Sequence, residues 1–185
     1  MSAVTGDPAS CSRLGGTLRQ LATQLRITGR ASRAALEHER DLDHQRDVHD
    51  PERQRLRPVL TRARRRFDAL DEATLSAARE VDRVGAALQA HSADLAEAVA
   101  DSRRIADRAA QARLRVSDAG VVASAWGVSG IADGQASAEQ LAALDRLQSE
   151  LDTVAALVAQ RRQRLVATLR ESQVVLATHA GALRR

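Results

Sequence analysis

Apolar residues recur along this chain in three long rhythms, each opened by a helix-start signal. The first runs Leu14, Leu18, Leu21, Leu25, then Thr28, Ser32, Ala35 and Leu42. It weakens past Leu36, where residues 37–47 are polar on every face and read as a solvated helix end or connector. The second is the strongest. Positions 60, 63, 67, 70, 74, 77, 81, 84, 88, 91, 95, 98, 102, 105, 109, 112 and 116 alternate steps of three and four, the spacing of a coiled-coil seam. At about 1.5 Å per residue such a helix reaches roughly 85 Å. The third runs from Leu144 through Leu147, Leu151, Val154 and Val158 to Leu183, interrupted by Arg161, Ser172 and His179.

The starts are marked by local chemistry. Asp7-Pro8 and Asp50-Pro51-Glu52 each put a capping acceptor before a proline at the first helical position. Ser137 and Gln140 have the spacing of a capping box, with Gln140 reaching back to the Ser137 backbone. Pro58 predicts a kink or break inside the second helix. Between the second and third rhythms, four glycines in residues 118–136 forbid a stable helix throughout. The pattern predicts helices over 8–45, 52–117 and 137–183 and no β-sheet. The expected fold is all-α, an elongated antiparallel helical bundle. Residues 1–50 supply an N-terminal helix and polar connector, and residues 51–185 a long coiled-coil-like hairpin with a Gly-rich turn at 118–136.

Composition sharpens this picture. Of 185 residues, 37 are Ala, 22 Leu and 15 Val, with Phe67 and Trp126 the only aromatics. An all-β fold wants β-branched and aromatic residues instead, and a lone Cys11 excludes an internal disulfide. Hydrophobic residues make up 44% of the chain, too many for global disorder. Because so many are Ala, thin, closely packed helix pairs suit the chain better than a thick core. No signal peptide and no apolar run of about 20 residues is present, so a cytoplasmic chain is expected, with any export by a signal-peptide-independent route and no membrane span.

Chemistry-bearing residues are sparse. His38, Asp41, Asp43, His44, Asp47 and His49 could put three metal ligands on one helical face, but no His-x-x-x-His pair exists, and a solvated helix end is the favoured reading. No metal or other cofactor is expected. The fourteen arginines and eight acids of residues 1–66 give that stretch a net charge of +6. Within it Arg62, Arg65 and Arg66 are candidate phosphate contacts, although no stacking aromatic accompanies them. His91 and His179 occupy seam positions, where polar residues set register. Cys11 has no activating neighbour in sequence. No hydrolase, nucleotide-loop or zinc-protease motif occurs, so no enzyme is expected. The Gly-rich turn holds Val121, Val122, Trp126, Val128 and Ile131, an apolar cluster that reads as a partner-docking element or as a staple on its own helices.

The opening Gly6-Asp7-Pro8-Ala9, its Leu/Arg/Ala helix, and Trp126-Gly127 in a turn between helices resemble the Trp-x-Gly-type helical-hairpin proteins and related toxin-associated proteins of actinobacterial type VII (ESX-like) secretion systems. The resemblance implies a non-enzymatic hairpin that pairs with another hairpin. Here the motif reads Trp126-Gly127-Val128-Ser129-Gly130, and without Tyr the family's tyrosine-based export signal has no counterpart. An accessory, chaperone-like or partner role therefore fits better than direct export. The expected function is that of a non-catalytic helical interaction protein whose partner is another helical protein or a second copy of itself. The alternatives are an Arg-rich coiled coil associated with nucleic acid and a purely structural coiled-coil oligomer.

Overall fold

A computed structural model describes residues 6–46, 51–125 and 134–183 of the chain. Their order is α1 (Pro8–Arg46), α2 (Pro51–Gln111), β1 (Leu114–Val116), β2 (Val122–Ser124) and α3 (Gly134–Leu183). The fold is all-α with long helices, apart from one antiparallel hairpin that pairs Leu114 with Ser124 and Val116 with Val122. That hairpin corrects the expectation of no sheet, and α2 stops at Gln111 rather than near 117. Arg113 takes a left-handed φ of 57°, which ends the helix. Ser117 and Gly120 then close a turn, with the Gly120 amide on the Ser117 carbonyl at 3.0 Å and Gly120 at a φ of 77°. At the other proline, α2 runs without interruption through Pro58, so the expected break is absent. Likewise α3 starts at Gly134, which puts Ser137 inside the helix rather than at its cap. The Gln140 amide donates to the Arg113 carbonyl at 3.5 Å instead of serving a capping box.

The chain divides into two compact units. The first comprises residues 1–13 and 88–167, so α2 and α3 each contribute one stretch. Here they run antiparallel, with Arg108 paired to Glu150 and Arg161 to Asp94 and Glu97 at 3.2 and 3.3 Å. Arg161, the polar break in the third rhythm, thus reaches two acids across the seam. The core is Ile105, Ala109, Leu114, Val122, Leu147 and Leu151. Two of these six come from the hairpin, which is docked by Gln148. Its Oε1 accepts the Val122 amide at 2.8 Å and its Nε2 donates to the Gly120 carbonyl at 3.2 Å. The start of α1 lies on α2, where the Ser92 hydroxyl donates to the Pro8 carbonyl at 2.7 Å. Asp7 caps α1 through the Ala9 amide at 3.0 Å. The Ser10 hydroxyl, with the Ala9 and Ser10 amides, holds its carboxyl below the ordinary aspartate range.

The second unit comprises residues 14–87 and 168–185. In it α1 packs antiparallel on α2 through Gly15, Ala22 and Gly29, all buried and one heptad apart. Opposite them lie Asp71, Ala78 and Gly85, again buried at heptad spacing. The leucine rhythm of α1 is therefore not its central seam, since Leu14 and Leu21 are 53% and 44% exposed. Small residues win the centre because they let the backbones close up. A Cβ added to Gly85 would stand 2.8 Å from the Gly15 carbonyl oxygen and 2.7 Å from Arg19 Cγ. Ion pairs flank this contact. Asp82 accepts Arg19 Nε at 3.3 Å and Arg26 Nη2 at 2.8 Å, and the buried Asp71 accepts Arg33. On its other side, α2 meets α3 through polar pairs: Ser76 with His179 at 2.7 Å, Glu80 with Ser172 at 2.8 Å, and Arg83 with Glu171.

Two predictions follow from the α1–α2 contact. Gly85→Ala should destabilise the protein by about 1–3 kcal/mol in urea unfolding, because a clash with backbone outweighs the helix propensity gained. The second concerns pH. The Arg26 guanidinium, helped by Arg19, holds the Asp82 carboxyl below its ordinary range. Its folded form therefore binds protons less readily than its unfolded form, so its contribution is present above about pH 4 and disappears as pH falls further. Asp82→Asn should shallow the loss of stability on the acid side of pH 4 while lowering stability at neutral pH. An acid limb as steep as in the parent would refute this role.

Candidate functional site

The first unit contains an open groove of about 700 Å³ between α2 and α3. Its floor is Ile105, Val154 and Leu157, and Leu157 is 45% exposed. The rim carries Asp101, Arg104, Asp107, Arg108 and Glu150, of which Arg104 pairs with Asp101 and Arg108 with Glu150. A second, smaller pocket continues the groove past Ala98 and Val158 to Arg161. The groove follows from helix geometry. A two-helix seam buries one stripe per helix, and the next positions around, Leu157 above all, stay open unless a third helix covers them. The apolar floor, and a rim in which both arginines are already paired with acids, suit the apolar stripe of a helix better than a small charged ligand.

The predicted turn cluster is divided. Val122 is buried at 4% in the core, as a staple would be, and Val121 beside it is 53% exposed. Trp126, Val128 and Ile131 lie outside the described residues. Arg62, Arg65 and Arg66 lie in the fourth and fifth turns of α2 and are exposed, with no ion pair among the described residues. Neighbouring Arg64 is half-buried and does have a partner. The His/Asp stretch begins at the exposed His38, and its other side chains lie outside those described. Among the described residues no group of three or more acidic, His or Cys side chains gathers to hold a metal.

The two seam histidines differ. His179 meets Ser76, whereas the His91 Nδ1 is buried without a hydrogen-bond partner. Cys11 is half-buried and free. The groove was not legible beforehand. Its floor residues are visible as heptad positions, but nothing in a single rhythm tells which side of a seam stays open. The hairpin carried a signal that the heptad masked: Leu114, Val116, Val122 and a Ser-Asp-Ala-Gly turn. No protein-family model, curated protein or solved structure matches this chain.

Arg113 joins α2 to the hairpin, and its carbonyl accepts the Ala125 amide at 3.1 Å. Its left-handed φ costs an L-residue roughly 1 kcal/mol that glycine does not incur. Arg113→Gly should raise stability by about 0.5–1 kcal/mol, read as a higher urea midpoint at unchanged slope. A drop in the midpoint would mean that the side chain carries a contact outweighing the backbone cost.

Proposed function

We propose that this chain is a non-catalytic helical interaction protein, a partner or chaperone-like accessory of a type VII-like secretion or toxin system. The observation that carries the reading is the α2–α3 groove, whose apolar floor of Ile105, Val154 and Leu157 offers a surface for the apolar stripe of a partner helix. The capped Gly6-Asp7-Pro8-Ala9 start and the Trp126-Gly127 pair between α2 and α3 support the assignment to such a system. In this mechanism the partner's apolar stripe covers Leu157 and its neighbours, and the partner is kept soluble while paired.

Co-expression with the helical-hairpin proteins encoded beside this gene tests the proposal. The expected result is a stoichiometric complex by size exclusion with light scattering, persisting from low to moderate salt, as apolar pairing should. Leu157→Asp should abolish it without reducing helix content, since that side chain is already 45% exposed and has no place in the buried core. Two results would count against the reading: a complex indifferent to Leu157→Asp, or tight duplex-DNA binding that collapses steeply with salt in place of any protein complex.

A further inference from the structure

The groove of the first unit is lined by two rows of identical spacing. On α2 the row is Glu97, Asp101, Arg104 and Arg108, and on α3 it is Glu150, Val154, Leu157 and Arg161. Each row steps by four, three and four residues. Its members therefore stay within about 60° of one another around the helix and form one face. The start of α1 lies on the opposite side of α2, at Ser92, and leaves this face open.

The two ends of the groove carry ion pairs of opposite polarity. At one end Arg108 of α2 holds Glu150 of α3. At the other, Glu97 of α2 is held by Arg161 of α3 at 3.3 Å. Between them Asp101 and Arg104 pair along α2, and Val154 and Leu157 belong to the floor. Because 97 stands at 161 and 108 at 150, the midpoints of the two rows share one level of the antiparallel pair. A two-fold axis through that level, perpendicular to the helices, lays each row antiparallel on its own copy. Arg108 then stands over Glu97 of the second copy, and Glu150 over Arg161. At the centre Asp101 stands over Arg104 and Val154 over Leu157. Each charge in the rows meets its opposite, and the floor meets the floor. Asp107 lies outside the rows, at the solvent edge.

We infer that this groove is the face on which two copies of the chain pair, as an isologous antiparallel four-helix dimer. The inference rests on the groove being a helix-docking surface, and it names the occupant. Charge complementarity selects a second copy. A lone helix lying in the groove has an acid on one flank and an arginine on the other, with the order reversed at the far end. It must carry a matching pattern on both of its flanks, whereas the same α2–α3 pair turned by the two-fold already has it. A phosphate backbone would meet one acid for each arginine of the rows.

The test is size exclusion with light scattering on the isolated full chain at high micromolar concentration, where a dimer is expected. Asp101→Arg and Arg104→Asp, each alone, set like charges face to face on both sides of the axis. Either should weaken dimerisation at least about tenfold. Mixed one to one, the two variants should form a heterodimer of near-parental affinity, because opposite charges face each other again. The two side chains are 36% and 71% exposed, so both variants keep the fold, checked by far-UV circular dichroism. Leu157→Asp should also weaken the dimer at least about tenfold. A monomeric parent, a dimer indifferent to the charge variants, or a mixture no more associated than its components would overturn the inference. A monomeric parent that still forms the Leu157-dependent complex with a helical-hairpin protein would overturn the second copy and leave that partner in place. Charge-swapped pairing without any such complex would establish the dimer and remove the partner.

Discussion

Close approach of α1 to α2 at Gly15 and Gly85 is the contact on which the second unit depends. An Ala-rich chain has few large side chains to bury, and each buried Ala contributes much less than a Leu. Bringing backbones together recovers dispersion energy that side chains cannot supply. A face of Gly, Ala and Gly is permissive about register, however. Sliding α1 by one heptad would still match small against small. The arginines do not remove that freedom, because Arg19, Arg26 and Arg33 are themselves seven residues apart and a one-heptad slide brings Arg26 to Asp71 in place of Arg33. What the ion pairs at Asp71 and Asp82 fix is which faces of the two helices meet, since a buried carboxylate turned away from this arginine row would be costly.

The α2–α3 contact in that unit uses a different device. Its seam positions on α3 are Ser172 and His179, and each finds a polar side chain on α2. In the first unit Arg161 does the same with Asp94 and Glu97. These pairs gain little over apolar packing, but they penalise misalignment because an unmatched buried polar group loses its water without a substitute. Ser102 and Ser172, the least exposed polar residues of the two units, show how far the seams rely on small polar side chains rather than bulk.

How much of this could be read from sequence depended on whether one seam or two shared a helix. For α2 from Leu88 to Ala109 a single partner stripe dominates and the heptad falls on buried positions, His91 alone being half-buried, whereas on α3 the heptad is buried at Leu147, Leu151 and Ser172 and mostly half-buried elsewhere. On α1 the conspicuous leucines misled, because Leu18 and Leu25 flank the contact while glycines occupy its centre. Glycine reads as a helix weakness until a facing backbone shows why no Cβ is wanted. The hairpin was hidden for a related reason: Ala112 and Val116 continue the heptad of α2, yet the left-handed Arg113 lies between them. An arginine in that conformation has no sequence signature. The candidate sites are harder still, since a groove and an uncovered stripe are defined by where a neighbouring helix is absent.

The distribution of charge along α2 follows its cover. From Asp68 to its end α2 has nine acids and five arginines, whereas α1 from Pro8 to His38 has five arginines and one acid. The acidic stretch and the basic helix meet through Asp71 and Asp82, so each neutralises the other inside the fold. The sequence before Asp68 reverses the sign, with seven arginines and no acid from residue 53 to 67. Arg64 stands one heptad before Asp71, on the stripe that faces α1, and is half-buried with a partner. Arg62, Arg65 and Arg66 lie on the other faces of α2 and are exposed, so the reversal of charge is divided between the helix contact and solvent.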